Sequence, residues 1–282
     1  MRAGTLGEFG DKRRAATGST LFERVMETGS LVVRRLGGTR AGEMAIHRFL
    51  SAPSVTTQEM VETLAARTAA ACAGRHIIAV QDTTEINFAG REERRRGLGP
   101  GGDGVSAGFF LHPVVAVERG SGDVLGLLGA KVWTRSDEYV ETASRARPLA
   151  ERESVRWLEG AACAEACLAD AASVTVVADR EGDIYAAFAR RPPRIDLLVR
   201  AAQDRSLADG SRLFARPEAW PELARMTVTV PPSGPGRRGR LATVALRAGQ
   251  VVISRPSQGS DPADPPQITL HMVEAREIGD SG

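Results

Sequence analysis

Two apolar runs, almost a hundred residues apart, both end on an aspartate. Residues 77–80 (IIAV) lead through Gln81 to Asp82, and residues 174–178 (VTVVA) lead directly to Asp179. Runs of this length and composition are typical of buried strands, inside which an unpaired carboxylate costs several kcal/mol. The two acids are therefore expected where the strands end. In α/β sheets, that edge opens into a crevice where ligands bind.

Two carboxylates at neighbouring strand ends suit hard divalent cations. Mg²⁺ takes oxygen ligands and keeps water or phosphate in its remaining positions. Two such ions about 3.5–4 Å apart activate a water or a 3′-hydroxyl and stabilise the leaving oxygen of a phosphodiester. A structural alternative stays open, in which Asp82 makes an Asx-turn with Thr84 and Asp179 caps a helix over residues 183–190.

The N-terminal part of the chain predicts a helical unit with basic ends. Residues 11–72 contain three stretches with helical periodicity. Gly29 is a plausible stop for the first of them, and Thr56 or Thr57 is a cap for the last. We therefore expect a helical domain over residues 1–74.

The periodicity changes at residue 76, and strands and helices then alternate. We predict strands over 76–82, 107–118, 123–134, 174–179 and 195–200, and helices over 137–172 and 183–190. The first of these helices is expected to place Val155, Trp157, Leu158, Ala162 and Leu168 toward a core. A meander whose first strand is later joined by strands that return through helices indicates an α/β fold with a mixed sheet.

Residues 205–277 differ from the part of the chain before them. Short alternating runs are separated by breaks rich in Pro and Gly, which predicts an inserted or appended antiparallel β unit. The runs are MTVTVP, RLATVALRA, VVISR and ITLHMVEAR.

The positive charge of the chain is almost entirely arginine. The net charge is only +2, and Lys12 and Lys131 are the only lysines. Guanidinium groups suit phosphate and base edges, although a codon bias toward Arg explains the same composition. The arginines cluster at residues 13–14, 34–35, 94–96 and 237–240.

Other features argue against membrane, secreted and disulfide-rich classes. The chain has no run of eighteen apolar residues and no apolar stretch near its start that would indicate a secretion signal. Three cysteines do not make a disulfide framework in 282 residues. We therefore expect a protein of the reducing cytoplasm with no membrane partner.

Several short motifs have the wrong context for the chemistry they suggest. Residues 97–102 spell G-x-G-x-x-G and residues 104–108 spell G-x-S-x-G, but each leads into a predicted strand instead of a helix. Cys163 and Cys167 share a helix face without a histidine nearby, so we expect buried thiols. His112 lies within an apolar strand, where a satisfied core histidine is expected.

The residues around the two acids resemble a known family. VQDTTEINF and VADREGDIY resemble the first two acidic motifs of bacterial DDE transposases of the insertion-sequence-four family, the Tn-five type. GLGPGGDGVSAGFFLHPVVAVE resembles the family's segment between its first two strands. EFGDKRR and AIHRFLSAPSV resemble its N-terminal DNA-binding region. The resemblance covers residues 7 to about 275.

This resemblance implies a fold and a set of site residues. The fold is a ribonuclease-H-like core over residues 75–282, with a β insertion at about 205–277, behind the helical DNA-binding unit. Asp82 and Asp179 match the first two metal-binding acids, for Mg²⁺ or Mn²⁺. Basic residues expected at transposon-end DNA are Arg13, Arg14 and Arg48, whereas Thr17 stands where the family has a further arginine.

The resemblance also implies a function and partners. The family performs cut-and-paste DNA transposition, in which hydrolysis and strand transfer take place on double-stranded transposon ends. We therefore expect a DNA transposase of the bacterial cytoplasm, associated with the nucleoid. Its expected protein partner is a second copy in a homodimer, or a full-length transposase.

One family feature has no match in this sequence. The third acid is a glutamate on a helix beyond the β insertion, in a pattern with a tyrosine and an arginine. Tyr139 and Tyr185 lie before the insertion, and Glu274 and Glu277 fall in a predicted strand. We therefore expect a C-terminally truncated relative that is less stable than a complete one, exposes apolar sheet surface and cleaves DNA poorly alone.

Two alternatives remain. One is a non-catalytic DNA-binding inhibitor of transposition, and the other is a different two-metal nuclease on the same fold.

Overall fold

A computed structural model describes residues 4–88, 97–136, 149–232, 234 and 238–279. The chain divides into two compact units. The first combines the residues up to 141 with 153–179 and 191–199, and the second combines 142–152, 180–190 and 200–282. Within the described ranges, every helix is too short or too polar to span a bilayer.

The first unit begins with four helices, one more than predicted, and two of their ends lie at predicted capping residues. Gly29 ends the first helix in the left-handed conformation, with a φ of 59°. The side chain of Thr56 begins the fourth by accepting a hydrogen bond from the backbone of Glu59. The helices are α1 (Lys12–Thr28), α2 (Val33–Gly37), α3 (Arg40–Leu50) and α4 (Thr57–Cys72).

Aromatic packing fixes the start of α1. Phe9 is buried and meets Phe49 of α3 edge to face, with ring centroids 5.2 Å apart. A Cβ atom on Gly18 would lie 3.1–3.2 Å from these two rings, so a larger residue would require the rings to shift by a few tenths of an ångström. Glu59 of α4 accepts the backbone N–H groups of Glu8 and Phe9 at 2.7 and 2.6 Å. The entry to α1 is thereby tied to both α3 and α4.

The first unit also contains a seven-stranded mixed sheet. β4 pairs antiparallel with β5 on one edge and with β1 on the other, and β1, β6 and β7 run parallel. The short strands β2 and β3, which the sequence analysis did not predict, also pair with β4. The strands are β1 (His76–Gln81), β2 (Thr84–Asn87), β3 (Gly99–Pro100), β4 (Ala107–Glu118), β5 (Val124–Trp133), β6 (Ser173–Ala178) and β7 (Asp196–Val199). The predicted α/β class with a mixed sheet is confirmed.

Helix α5 (Arg156–Cys167) covers one face of this sheet together with α4. The core between them contains Ile77, Ala79, Val114 and Val176, which are all at most 2% exposed. The helix predicted over 137–172 is realised as two short 3-10 helices followed by α5, and residues 137–148 lie outside the described part.

The residues of α5 match the predicted core only in part. Trp157 and Leu168 are buried as predicted. The same prediction is wrong for Ala162, which is exposed. In its place, Ala161 and Ala164 face the sheet.

The opposite face of the sheet carries exposed apolar side chains. Val80 of β1 is 38% exposed and Leu198 of β7 is 59% exposed. Val177 of β6 pairs with both of them, so the three form a continuous apolar row across neighbouring strands. Apolar side chains of β1 and β7 are therefore exposed on this face.

The second unit contains a three-stranded antiparallel sheet with the order β10–β9–β8, within the range predicted for a β unit. Its strands are β8 (Ala224–Val230), β9 (Arg240–Ser254) and β10 (Gln267–Glu277), and its helix α6 spans Tyr185–Ala189. The core of this unit gathers around Tyr185, Leu207, Leu213, Val251 and Ile253.

Candidate metal centre

The register of β1 against β6 brings the two predicted acids together. Val80 lies opposite Val177 in this parallel pair. Asp82 and Asp179 each follow two residues later, so they occupy equivalent positions where the two strands end. Neighbouring strands lie about 4.8 Å apart, which is close enough for two carboxylates to share a cation.

The two acids also belong to the same face of the sheet. The buried residues of β1 and β6 alternate along each strand and face α5. Side chains two residues apart on a strand lie on the same face, so Asp82 is on the face of Val80 and Asp179 is on the face of Val177. This is the face opposite α5. The pair is therefore placed at one edge and on one side of the sheet.

The local contacts of Asp82 leave one carboxylate oxygen available. Its Oδ1 accepts the backbone N–H of Thr83 at 2.7 Å, and Asp82 is exposed. Among the described residues, nothing donates a hydrogen bond to Oδ2. The structure therefore replaces the predicted Asx-turn to Thr84 with a contact to the adjacent residue.

The capping alternative for Asp179 does not match the structure. Helix α6 begins after Ile184, and no side chain of the described residues caps it. Asp179 itself is half-buried at the end of β6. A position at the carboxyl end of a parallel strand is the feature that it shares with Asp82.

The pair suits a hard cation such as Mg²⁺ or Mn²⁺ that completes its coordination with water or phosphate. In the described part of the chain, no group of three or more His, Cys, Asp and Glu side chains could hold a metal ion. Glu274 and Glu277 lie on β10, as predicted, and pair there with arginines of the second unit. An ion at Asp82 and Asp179 would therefore take no third ligand of these types from the described residues.

A buried hydrogen-bond chain holds the residues that flank Asp82. Arg156 Nε donates to Thr83 Oγ1 at 2.7 Å, and Thr83 Oγ1 lies 2.9 Å from His112 Nδ1. His112 Nε2 lies 3.2 Å from Gln81 Oε1, and Gln81 Nε2 donates to the carbonyl of Trp157 at 3.3 Å. We call these five residues the relay.

The two ends of the relay fix the direction of three of its four hydrogen bonds. A guanidinium can only donate and a carbonyl can only accept. Thr83 therefore accepts from Arg156, and His112 donates from Nε2 to Gln81 Oε1. Burial, with the nearby positive charges of Arg156 and Lys131, lowers the pKa of His112 to about 4. The imidazole is therefore neutral at pH 7, so its Nδ1 accepts a hydrogen bond from the Thr83 hydroxyl.

The buried neutral His112 predicts a stability that depends on pH. The unfolded chain binds a proton near pH 6.5 that the folded chain accepts only near pH 4. The free energy of unfolding should therefore fall as the pH is lowered through this window, by at most about 3 kcal/mol. Urea unfolding between pH 7.5 and 4 would measure it.

Two variants separate this effect from other titrations. The pH-dependent loss should flatten in His112→Gln and persist in His47→Gln, which alters an exposed histidine of α3. Parallel curves for wild type and His112→Gln would contradict a neutral buried imidazole.

A stack of rings and cations holds Arg156 in place. Its guanidinium lies 5.6 Å from the ring centroid of Trp133, which stacks on Phe110 at 5.3 Å. Phe110 in turn lies 4.3 Å from the guanidinium of Arg135. Burial favours a raised pKa for Glu153, but hydrogen bonds from Arg135 and Trp133 outweigh it and lower the pKa.

The three arginines predicted to meet DNA have different surroundings. Arg13 and Arg48 are exposed, and among the described residues their guanidinium groups make no hydrogen bond or ion pair. Arg14 is half-buried and donates from Nη1 to the carbonyl of Phe9 at 3.1 Å. Thr17 donates its hydroxyl to the carbonyl of Arg13. The structure thus leaves Arg13 and Arg48 available and gives Arg14 a structural contact.

The other motifs have local explanations. Ser106, the serine of G-x-S-x-G, donates its hydroxyl to Asp103 at 2.6 Å in a tight loop. This bond, with two backbone N–H groups, lowers the pKa of Asp103 to about 2. Cys163 and Cys167 both donate to the carbonyl of Leu128 at 3.4 Å, and burial raises the pKa of Cys163 to about 12.

A comparison of the chain with protein-family models found no match.

The relay beside Asp82 was not predicted from the sequence. One signal was present, because Gln81 is a polar residue at a buried position of an apolar strand and is only 3% exposed. Its partners His112 and Trp157 are 31 and 76 residues away, so no local pattern could identify them.

Proposed function

We propose that the chain is a DNA transposase of the DDE type, similar to the insertion-sequence-four family. It binds duplex DNA through α1–α4 and holds a divalent cation with Asp82 and Asp179. The observation that carries the proposal is the register of β1 and β6, which places both acids at one edge of the sheet. The strand order β5–β4–β1–β6–β7, with three antiparallel strands and then two parallel ones, supports the ribonuclease-H-like core that the resemblance implies.

The described residues would have two roles on a DNA substrate, which are metal binding and binding of the DNA backbone. Asp82 and Asp179 would hold Mg²⁺, which supplies an activated water or 3′-hydroxyl and stabilises the leaving oxygen of a phosphodiester. Asp82 is exposed and Val80, on the same face, is 38% exposed, so a phosphate could reach the ion. Arg13 and Arg48 would hold the DNA backbone as bidentate phosphate contacts.

The charge of the helical unit supports its proposed role in binding DNA. Residues 1–74 contain ten Lys and Arg against seven Asp and Glu. Arg34 and Arg35, in the last turn of α2, are exposed. Arginines without acidic partners can neutralise phosphates and release counterions, which makes the affinity for DNA depend on salt.

We expect Arg13→Gln and Arg48→Gln each to weaken binding to a short DNA duplex and to flatten its salt dependence. Each lost phosphate contact should change the slope of log K against log salt by about 0.9. Fluorescence anisotropy with a labelled duplex at several salt concentrations would measure the slope.

Arg24→Gln is the matched control, because Arg24 is on the same helix as Arg13 but pairs with Glu27 at 3.5 Å. This variant should keep the wild-type slope. Unchanged slopes for both Arg13→Gln and Arg48→Gln would contradict a DNA-binding role for this face.

A further inference from the structure

The relay contains more hydrogen-bonded residues than are needed to pair the two ring nitrogens of a buried histidine. It joins β1, β4 and α5 through side chains, and both Gln81 and His112 are at most 3% exposed. At one end the guanidinium of Arg156 can only donate, and at the other end the carbonyl of Trp157 can only accept. Such a network specifies one arrangement of its members, because reversing any bond leaves a buried polar group unpaired.

The relay holds the two sequence neighbours of Asp82, Gln81 and Thr83. Gln81 is held through both ends of its amide, and Thr83 through its hydroxyl. The backbone at Asp82 is therefore fixed on both sides. The backbone N–H of Thr83 also donates to Asp82 Oδ1 at 2.7 Å, so the orientation of this carboxylate depends on where the Thr83 backbone is held.

We propose that Thr83 and His112 are positioning residues that orient the Asp82 carboxylate for the divalent cation. Oδ1 is held by Thr83, so Oδ2 is the oxygen presented to the ion. Hydrogen-bonded partners behind a metal ligand commonly fix its orientation, and their loss typically lowers metal affinity 10–100-fold. This inference rests on the proposed function, because it needs a cation at Asp82 and Asp179.

The test compares two substitutions at Thr83 by titration with Mn²⁺, followed by electron paramagnetic resonance. Thr83→Val keeps the shape of the side chain and the backbone N–H bond to Asp82 but removes the hydroxyl that anchors this backbone, so we expect the Mn²⁺ affinity to fall by up to about 10-fold. Thr83→Ser keeps the hydroxyl, and we expect its affinity to stay within about twofold of wild type. A loss that serine rescues is the signature of positioning by the hydroxyl.

His112→Phe is an independent test, because it removes the imidazole that is hydrogen-bonded to the Thr83 hydroxyl. The ring fills the same space but cannot accept from Thr83 or donate to Gln81. We expect a loss of Mn²⁺ affinity similar to that of Thr83→Val, and little further loss when the two are combined, because both break the same chain. Urea unfolding of each variant, measured alongside, ensures that affinities are compared between folded proteins.

The outcomes separate this inference from the proposed function. If Asp82→Asn abolishes Mn²⁺ binding while Thr83→Val and His112→Phe leave it unchanged, the positioning role is wrong and the metal site stands. If Asp82→Asn has no effect on Mn²⁺ binding, the metal site itself is wrong and the positioning role fails with it.

Discussion

Replacing Arg205 with glutamine is expected to lower the free energy of unfolding of the second unit by about 3–5 kcal/mol. Arg205 and Asp183 form a buried ion pair at 2.5 Å, with side chains that are 8% and 3% exposed. Arg205 also donates to the backbone carbonyl of Asp183 at 2.7 Å. The same carboxylate accepts the backbone N–H groups of Ala202 and Gln203 at 2.8 Å. Removing the guanidinium leaves a buried charge with too few partners.

Urea unfolding, followed by tryptophan fluorescence, would measure this loss, because one of the three tryptophans, Trp220, packs against the core of the second unit. Arg212→Gln is the matched control. Arg212 pairs with Asp204 at 3.4 Å, but both side chains are more than a third exposed. Its loss should cost at most about 1 kcal/mol. Equal effects of the two variants would contradict a structural role for the buried pair.

This pair assigns different roles to the two aspartates in the segment VADREGDIY. Asp183 is enclosed by its own hydrogen bonds and belongs to the framework of the second unit. Asp179 stands at the carboxyl end of β6, opposite Asp82. Substitution of Asp183 should therefore act on folding, and substitution of Asp179 on binding.

The second large effect is expected on metal affinity. Asp82→Asn and Asp179→Asn should each weaken Mn²⁺ binding by more than the 10-fold that the loss of an outer hydrogen-bond partner can cost. An amide keeps the size of the side chain but removes the negative charge that Mg²⁺ and Mn²⁺ prefer. Both variants should stay folded, because Asp82 is exposed and Asp179 is half-buried.

Asp123→Asn is the control for non-specific effects of charge. Asp123 is exposed in the turn between β4 and β5, near the amino end of β1. It is an aspartate of the same sheet but lies at the opposite end from Asp82. Its substitution should leave Mn²⁺ affinity unchanged, and an equal loss there would indicate a diffuse charge effect.

Much of the fold could be predicted from local sequence because its signals are local. Apolar runs specify β1 and β6, and Gly29 and Thr56 specify the ends of helices through their own backbone bonds. The place of Asp82 and Asp179 followed from the cost of an acid inside a buried strand. The free-energy cost of burying an unpaired carboxylate does not depend on which distant residues pack against the strand.

The features that sequence reasoning missed depend on distant partners. β2 has no apolar alternation and exists because it continues along β4 beyond β1. RLATVALRA and VVISR were expected as separate runs but form one strand, β9, that continues through Gly249. A Cβ atom at Gly249 would lie 2.4 Å from the ring of Trp220, so this glycine makes room for packing instead of ending the strand.

The central claim is that Asp82 and Asp179 bind the same ion, and a double-mutant cycle of Mn²⁺ affinity tests it most directly. Wild type, Asp82→Asn, Asp179→Asn and the double variant would be titrated under identical conditions. A shared site predicts that the double variant loses little more than either single variant, because one missing ligand already destroys the site. Losses that add, or wild-type protein that binds no Mn²⁺, would contradict the claim.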